Sequence, residues 1–463
     1  MIQPFKGKKV TVMGLGLHGG GLASVLWLVK QGAKVTVTDL KTKKQLENSV
    51  NQLKKYKINF VLGRHRESDF KNTDLIIQNP GVPRESKFLK IAKKYGVPIE
   101  NNASLFFKFC PAVIIGVTGT RGKSTTSALI YEFLKVGNRK VWLAGLPQKP
   151  ILENLEKIKE NDLVVLELSS WQLEILGQNK LSPDLSVITN IYPDHMNRYS
   201  SAKDYIKAKE NIFLWQTSQA SAVLNRDNTD TFKMGKNVLA KRFWFSKKYF
   251  KEENGVYVKN SFIYFRYNGN VKKIASLRDI KLFGQHNLEN VLAALAIALQ
   301  FKLTQSQVKS VLSKFKGLSG RLELVKTKLG IKFINDTTAT TPDAAIAALN
   351  LASKKNVILI AGGASKNLPE KKYQELAKII KIKCKAVVLF SGSGSDQIIK
   401  PLKKDNFKPL VFNVNSMFQA VTVALSFAKK GDTVLLSPAC ASFGIFIHEY
   451  DRGDQFNQIV IQL

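Results

Sequence analysis

The chain has 463 residues, 44% of them hydrophobic and 23% charged, with a formal net charge of +36. That length suggests about three domains with an ample core. No apolar run is long enough to cross a bilayer and the N-terminal stretch lacks the apolar centre of a secretion signal, so neither membrane insertion nor export is expected. The three cysteines, Cys110, Cys384 and Cys440, are too few and too scattered for a disulfide framework or a zinc cluster, which fits the reducing cytoplasm. The lysines are dispersed in KTKK, KKYK, SKKYF and KIIKIKCK and are not interleaved with aromatics. A lysine-rich surface is the expected reading and nucleic-acid binding is not, although a positive field favours anionic small substrates.

In chain order, a first strand–helix block opens with a strand over 9–13, the turn GLGLHGGG and a helical pattern over 22–30. A strand over 34–39 ends in Asp39, further strands lie near 60–62 and 75–78, and the turn NPGVP closes the block at 79–83. A glycine turn between strand and helix, with an acidic residue ending the next strand, resembles the dinucleotide fingerprint. The same geometry can hold the diphosphate of a UDP-sugar. That ligand is expected here because a second phosphate loop lies downstream; NAD(P) and plain helix–strand packing are the alternatives.

A break near 101–104 precedes the second block. Its centre is GVTGTRGKST, residues 116–125, between an apolar run at 112–115 and a helical pattern at 126–134. Backbone N–H groups of such a turn face an anion, a lysine adds a point charge and a hydroxyl can ligate magnesium. Thr118, Gly119, Thr120, Arg121, Gly122, Lys123, Ser124 and Thr125 are therefore expected to hold a nucleoside triphosphate, with Val117 standing where the strict pattern wants glycine. Glu167 ends most of an apolar strand at 163–168, where a charge is costly unless paired or on metal. His195 follows a strand at 185–190, and Lys209 sits in a helix over 202–215; alone, each reads as structural or solvated. Short strands between 222 and 274 suggest an antiparallel patch, and a helix over 287–301 follows. The third block starts near 319, with strands at 331–335, 357–361, 386–391 and 433–437. The fold class is α/β, in three domains each with a mostly parallel sheet flanked by helices. Boundaries are expected at 1–103, 104–318 and 319–463.

TGTRGKST, ELSSWQLE, TNIYPDHMNRY, YIKAK, GQHNLEN, GLSGRLE, INDTTATTPDA and LLSPACASF occur in this order over essentially the whole chain. Together they resemble the Mur ligase family, ATP-dependent enzymes that build the peptidoglycan stem peptide, and within it the members that add D-glutamate. The resemblance implies a Rossmann-like N-terminal domain, a P-loop central ATPase domain and a Rossmann-like C-terminal domain. It implies ATP, UDP-N-acetylmuramoyl-L-alanine and D-glutamate as substrates, magnesium as cofactor and a monomer. By it Lys123, Glu167, His195 and Lys209 become catalytic, and Ser124, Glu167, His195 and Lys209 metal-holding, the lysine as a carbamate. Asn287, Asn290, Arg321 and Asp336 match residues that reach ATP. Leu17, His18, Asp39, Asn79 and Gly81 match the uridine and diphosphate region, and Thr340, Lys366 and Ser442 the amino-acid pocket.

The chain departs from the family at Arg121, commonly Asn; at Leu146, in place of a substrate-contacting Asn; and at Thr338, usually Lys. It departs again at Gly444-Ile445, usually Asp-Gln, and at Glu449, more often apolar. Losing a lysine and gaining a glutamate near a dicarboxylate pocket leaves L-glutamate or another amino acid as the alternative substrate. A basic nucleotide-dependent nucleic-acid-binding protein is the remote alternative.

Overall fold

The computed structural model describes residues 4–16, 19–83, 85–146, 149–192, 194, 198–282 and 287–463. Three mostly parallel sheets flanked by helices follow one another along the chain, as expected. By its internal contacts the chain divides into two compact units. Met1–Ile280 with Gln285–Phe315 holds the first two sheets, and Lys281–Gly284 with Lys316–Leu463 holds the third.

The first sheet is fully parallel, in the order Asn59–Leu62, Lys34–Asp39, Lys9–Met13, Leu75–Gln78, Ile99–Glu100. Its β-branched segments KVTVM and KVTVTD bury Val10, Val12, Val35 and Val37. Successive strands are added on opposite sides of Lys9–Met13, so a crevice opens beyond its C-terminal end, where the first glycine turn lies. Helix Gly20–Lys30 packs tightly on that turn: a Cβ at Gly21 would lie 2.2 Å from the carbonyl oxygen of Leu15.

Asn101 caps helix Asn102–Phe109, accepting from the Ser104 N–H at 2.8 Å, so the break expected near 101–104 is a capped helix start leading into the second sheet. That sheet has the order Asn270–Ser276, Phe262–Tyr267, Gly255–Lys259, Lys241–Ser246, Ser221–Asn225, Leu185–Ile188, Val113–Thr118, Leu163–Glu167, Val141–Ala144. The antiparallel patch is narrower than the sequence suggested. Ser221–Asn225, Lys241–Ser246 and Gly255–Lys259 extend the parallel sheet, and antiparallel pairing is confined to the hairpins spanning 255–276. Helix Thr229–Met234 supplies a crossover that returns the chain to the same end of the sheet.

Several elements stop earlier than their apolar patterns. Strand pairing ends at Glu167 and Ile188, the helix after Ser201 ends at Glu210, and helix Asn287–Ala298 passes into a 3-10 turn at Leu299–Phe301. Helix Asn287–Ala298 buries every residue from Asn290 onward and packs against helix Lys123–Lys135. One apolar cluster runs from Val10, Trp27 and Val37 of the first sheet's layer to Leu152, Val164 and Leu173 of the second's, so the two share a core.

The third sheet has the order Glu323–Lys328, Ile331–Asn335, Thr433–Leu436, Val357–Gly362, Cys384–Phe390, Leu410–Val414. Only its edge strand Glu323–Lys328 is antiparallel. The topology reverses between Thr433–Leu436 and Val357–Gly362, and the loops after both strands meet in an Ala364–Ala441 bridge. No helix of the described residues is long and apolar enough to cross a membrane.

Candidate active site

Strand Val113–Thr118 lies between Leu163–Glu167 and Leu185–Ile188, and its glycine turn delivers the chain into helix Lys123–Lys135. The turn is braced from the side. The Thr120 N–H donates to the Asn190 carbonyl at 2.9 Å, the Arg121 N–H to Asn190 Oδ1 at 2.9 Å, and Thr189 Oγ1 to the Arg121 carbonyl at 2.6 Å. Thr189 and Asn190 are free to do this because the strand has ended at Ile188. Gly122 has φ of 83°, and a Cβ there would sit 2.1 Å from Asn290 Oδ1. A Cβ at Gly119 would sit 1.9 Å from Thr189 Oγ1. The cradle is thus built to a spacing that admits only glycine.

The expected ATP residues of the first unit gather around it. Lys123 Nζ donates back to the Gly119 and Thr120 carbonyls at 3.1 and 3.3 Å. Ser124 is buried in the helix's first turn, with Thr125 beside it half-buried. Asn290 Nδ2 donates to Asn287 Oδ1 at 2.8 Å, and Thr126 Oγ1 donates to Asn290 Oδ1 at 3.3 Å, tying the two asparagines to the cradle.

Glu167 ends its strand in register with Val117, and its Oε2 is shielded from solvent and has no hydrogen-bond partner among the described residues. A buried carboxylate oxygen in that state fits a hard cation beside the phosphate loop. Lys209, only 2% exposed, points into the same place, donating to Thr118 Oγ1 at 3.2 Å and to the Gly119 carbonyl at 3.0 Å. Burial pushes its amine well below the ordinary lysine range and repulsion from Lys123 adds to this, while Asp194 and Glu167 pull the other way. His195 lies outside the described residues. Sequence reasoning did not single out Asn190, Thr189 or Tyr205, although all three stand in or beside its motifs. The Tyr205 hydroxyl lies 3.1 Å from Thr120 Oγ1, and its ring lies 4.9 Å from Lys209 Nζ.

At the first sheet, Leu17 and His18 lie outside the described residues. Asp39 spends its carboxylate on the glycine turn itself: Oδ2 accepts from the N–H groups of Leu15 and Gly16 at 2.9 and 3.2 Å, and Oδ1 from Lys41 at 2.9 Å. Asn79 Oδ1 accepts from the Gly81 N–H at 3.2 Å, and a Cβ at Gly14 would approach Asn79 to 3.0 Å. The two turns are therefore packed on each other beside a small recess lined by Gly20, Gly21, Asn79 and Asn102.

In the second unit, Lys366 Nζ donates to Thr340 Oγ1 at 2.6 Å, and Ser442 is buried next to the Ala364–Ala441 bridge, so the three expected amino-acid residues share the sheet's topological switch. Burial lowers the Lys366 amine, Glu449 raises it and Arg452 lowers it again. Thr338, in the usual lysine position, donates from Oγ1 to the Gly320 carbonyl at 2.9 Å, next to Arg321. Asp336 accepts from Ser437 Oγ at 2.9 Å and from the Leu322 N–H at 3.2 Å. Burial lifts its carboxyl to about 7, against the pull of those two bonds and of Arg321.

A glycine turn shaped to cradle phosphate, a neighbouring buried carboxylate oxygen and a depressed lysine, on a chain of three α/β sheets, fit an enzyme that works on a nucleotide. The chain belongs to the Mur ligase family: its residues 8–101 match the Mur ligase MurD-like N-terminal domain, 117–298 the Mur ligase middle domain, and 320–440 the Mur ligase glutamate ligase domain. It is 39% identical to a UDP-N-acetylmuramoylalanine–D-glutamate ligase of Roseiflexus sp. (strain RS-1), covering 98% of each chain. It is 36% identical to the protein of the same name from Acetivibrio thermocellus, covering 99% of this chain and 97% of that one. Among solved structures it is similar in fold to a UDP-N-acetylmuramate–alanine ligase of Thermotoga maritima, at TM-score 0.60 and 21% identity over 98% of this chain and 99% of the other. A MurF ligase from Thermotoga maritima in complex with ADP aligns at TM-score 0.56 and 18% identity over 100% of this chain and 97% of the other.

Proposed function

We propose that this chain joins D-glutamate to UDP-N-acetylmuramoyl-L-alanine, cleaving ATP to ADP and phosphate, in the cytoplasmic assembly of peptidoglycan precursors. The observation that carries the reading is its end-to-end likeness, at 39% identity, to a D-glutamate ligase. The residues described above suit each step. The acceptor's alanyl carboxylate is a poor electrophile; one of its oxygens attacks the γ-phosphorus of ATP, the bond to the β–γ bridging oxygen breaks, and ADP leaves. The cradle N–H groups and Lys123 stabilise charge developing on the transferred phosphoryl group. The amine of glutamate, having lost a proton, then attacks the acyl carbon, and inorganic phosphate departs from the tetrahedral intermediate.

We assign magnesium to Ser124, Glu167, His195 and Lys209; bound there, it would neutralise phosphate charge. The orphaned Glu167 oxygen supports this. We further propose that Lys209 carries a carbamate. Its depressed amine is the nucleophilic form that takes up carbon dioxide, and the product would exchange a disfavoured buried cation beside Lys123 for an anion. Asn287, Asn290, Arg321 and Asp336 are assigned to ATP, and Thr340, Lys366 and Ser442 to glutamate. We assign the nucleotide sugar to the turn of Leu17 and His18 and to the turn of Asn79 and Gly81, with Asp39 holding the former in shape. We further propose that the chain acts as a monomer.

The test is isotopic. With the acceptor carboxylate labelled with heavy oxygen, one labelled atom should appear in the released phosphate, and the nucleotide product should gain the mass of one glutamyl residue. Phosphate release without label transfer would refute the acyl-phosphate route.

A further inference from the structure

Arg198 follows strand Leu185–Ile188 of the second sheet, yet it reaches the substrate-side turn of the first. Its Nη1 donates to the Val82 carbonyl at 3.3 Å and its Nη2 to Glu174 Oε2 at 3.3 Å, with the guanidinium 4.8 Å from the centre of the Trp171 ring. The side chains of the ion pair are only 12% and 11% exposed. The Val82 carbonyl also accepts from Gln78 Nε2 at 3.1 Å, and the Val82 N–H closes the turn onto the Asn79 carbonyl at 2.9 Å. A Cβ at Gly14 would meet Val82 at 3.2 Å, so this turn also seats the first glycine turn. Trp171 and Glu174 stand on helix Ser170–Gln178, which begins three residues after Glu167.

We infer that Arg198 is a positioning residue. Acting through Val82 and Glu174, it sets the register between the turn expected to hold the nucleotide sugar and the strand-end groups expected to handle phosphoryl transfer. A planar fork can serve two acceptors at a fixed angle, which a lysine cannot. The shared apolar core holds the two layers together coarsely, and Arg198 fixes the last fraction of an ångström, where a shift of about 1 Å can cost on the order of a hundredfold in rate. The ATP cradle is braced separately by Thr189 and Asn190, so its affinity does not depend on Arg198.

The inference rests on the ligase reading for its kinetic arm only. In full-length protein, R198A should raise KM for UDP-N-acetylmuramoyl-L-alanine about tenfold and lower kcat, leaving KM for ATP within about twofold, with R198K in between. Titration with UDP alone, which needs no turnover, should show about tenfold weaker binding in R198A. A parent that binds UDP but releases no phosphate would count against the ligase reading and leave this arm decisive. Unchanged UDP binding in R198A, or ATP and sugar constants rising together, would overturn the inference. Should R198A not fold, E174Q carries the same test: it removes the charged partner, and a smaller shift confined to the nucleotide sugar is expected, with no such shift overturning the assignment.

Discussion

The side-chain nitrogen of Lys209 lies 3.2 Å from Oγ1 of Thr118, at the point where the phosphate-loop strand ends. At this place an ammonium is disfavoured, chiefly by burial. In the unfolded chain the amine titrates near its usual value, so between the lowered folded value and that one the unfolded state binds the extra proton and stability rises with pH. Lys209→Met, which keeps volume and removes the charge, should melt at higher temperature than the parent at pH 7 in carbon-dioxide-free buffer, while losing ligase activity. Lys209→Ala should also be inactive and should regain part of its activity with a short-chain carboxylic acid. A fully active Lys209→Ala would remove the carbamate from the account.

Lys123 lies over the carbonyls of Gly119 and Thr120, where it can turn toward a γ-phosphate. Lys123→Ala should reduce phosphate release at least about a hundredfold. Circular dichroism and the melting temperature should stay close to the parent's, because the lysine is only half-buried and the Gly119 carbonyl keeps its bond from Lys209.

Gly122 is the sharper test of the cradle. Alanine there combines a left-handed backbone with a methyl group 2.1 Å from Asn290 Oδ1. Gly122→Ala should cost about 1–3 kcal/mol of stability and displace the asparagine pair, weakening ATP binding measured by calorimetry. Asn290→Ala placed on top of Gly122→Ala should recover part of the lost stability, because the obstructing atom is gone.

Asp336 gives a pH signature in the second unit. Its carboxyl is lifted to about 7 by burial, so between the ordinary carboxylate value and 7 the folded state holds a proton that the unfolded state has lost. Stability from this group therefore falls as pH rises through that window. Asp336→Asn should flatten the decline and, at pH 8, be more stable than the parent by on the order of 2–4 kcal/mol, as read by denaturant unfolding. The same variant should bind ATP less well if the residue reaches the nucleotide.

Much of this was legible in the sequence because the decisive signals are local. A strand, a glycine turn and a helix start announce both glycine turns, and the apolar runs give the central strands. The edge strands Val141–Ala144, Glu323–Lys328 and Leu410–Val414 were missed because their residues are short or mixed in polarity, as in ELVKTK, and carry no clean alternation. One overlong strand end had a physical cause: Thr189 and Asn190 continue the β-prone run after Ile188, but their side chains bond the glycine turn at Arg121. Asp39 was expected in the uridine and diphosphate region; that its oxygens brace the Leu15–Gly16 turn, a contact between residues 24 positions apart, was not read from the sequence. The Arg198 fork is of the same kind, set by topology rather than by spacing.

The family's lysine is Thr338 here, tied to the Gly320 carbonyl, and Glu449 acts on Lys366, so fewer positive groups stand at the place proposed for glutamate. Phosphate release should be measured with UDP-N-acetylmuramoyl-L-alanine, ATP and magnesium against D-glutamate, L-glutamate and a panel of other amino acids in turn. Turnover is expected with D-glutamate and not with its mirror image. Turnover with another amino acid in preference to D-glutamate would contradict it and make Thr338 and Glu449 the switch.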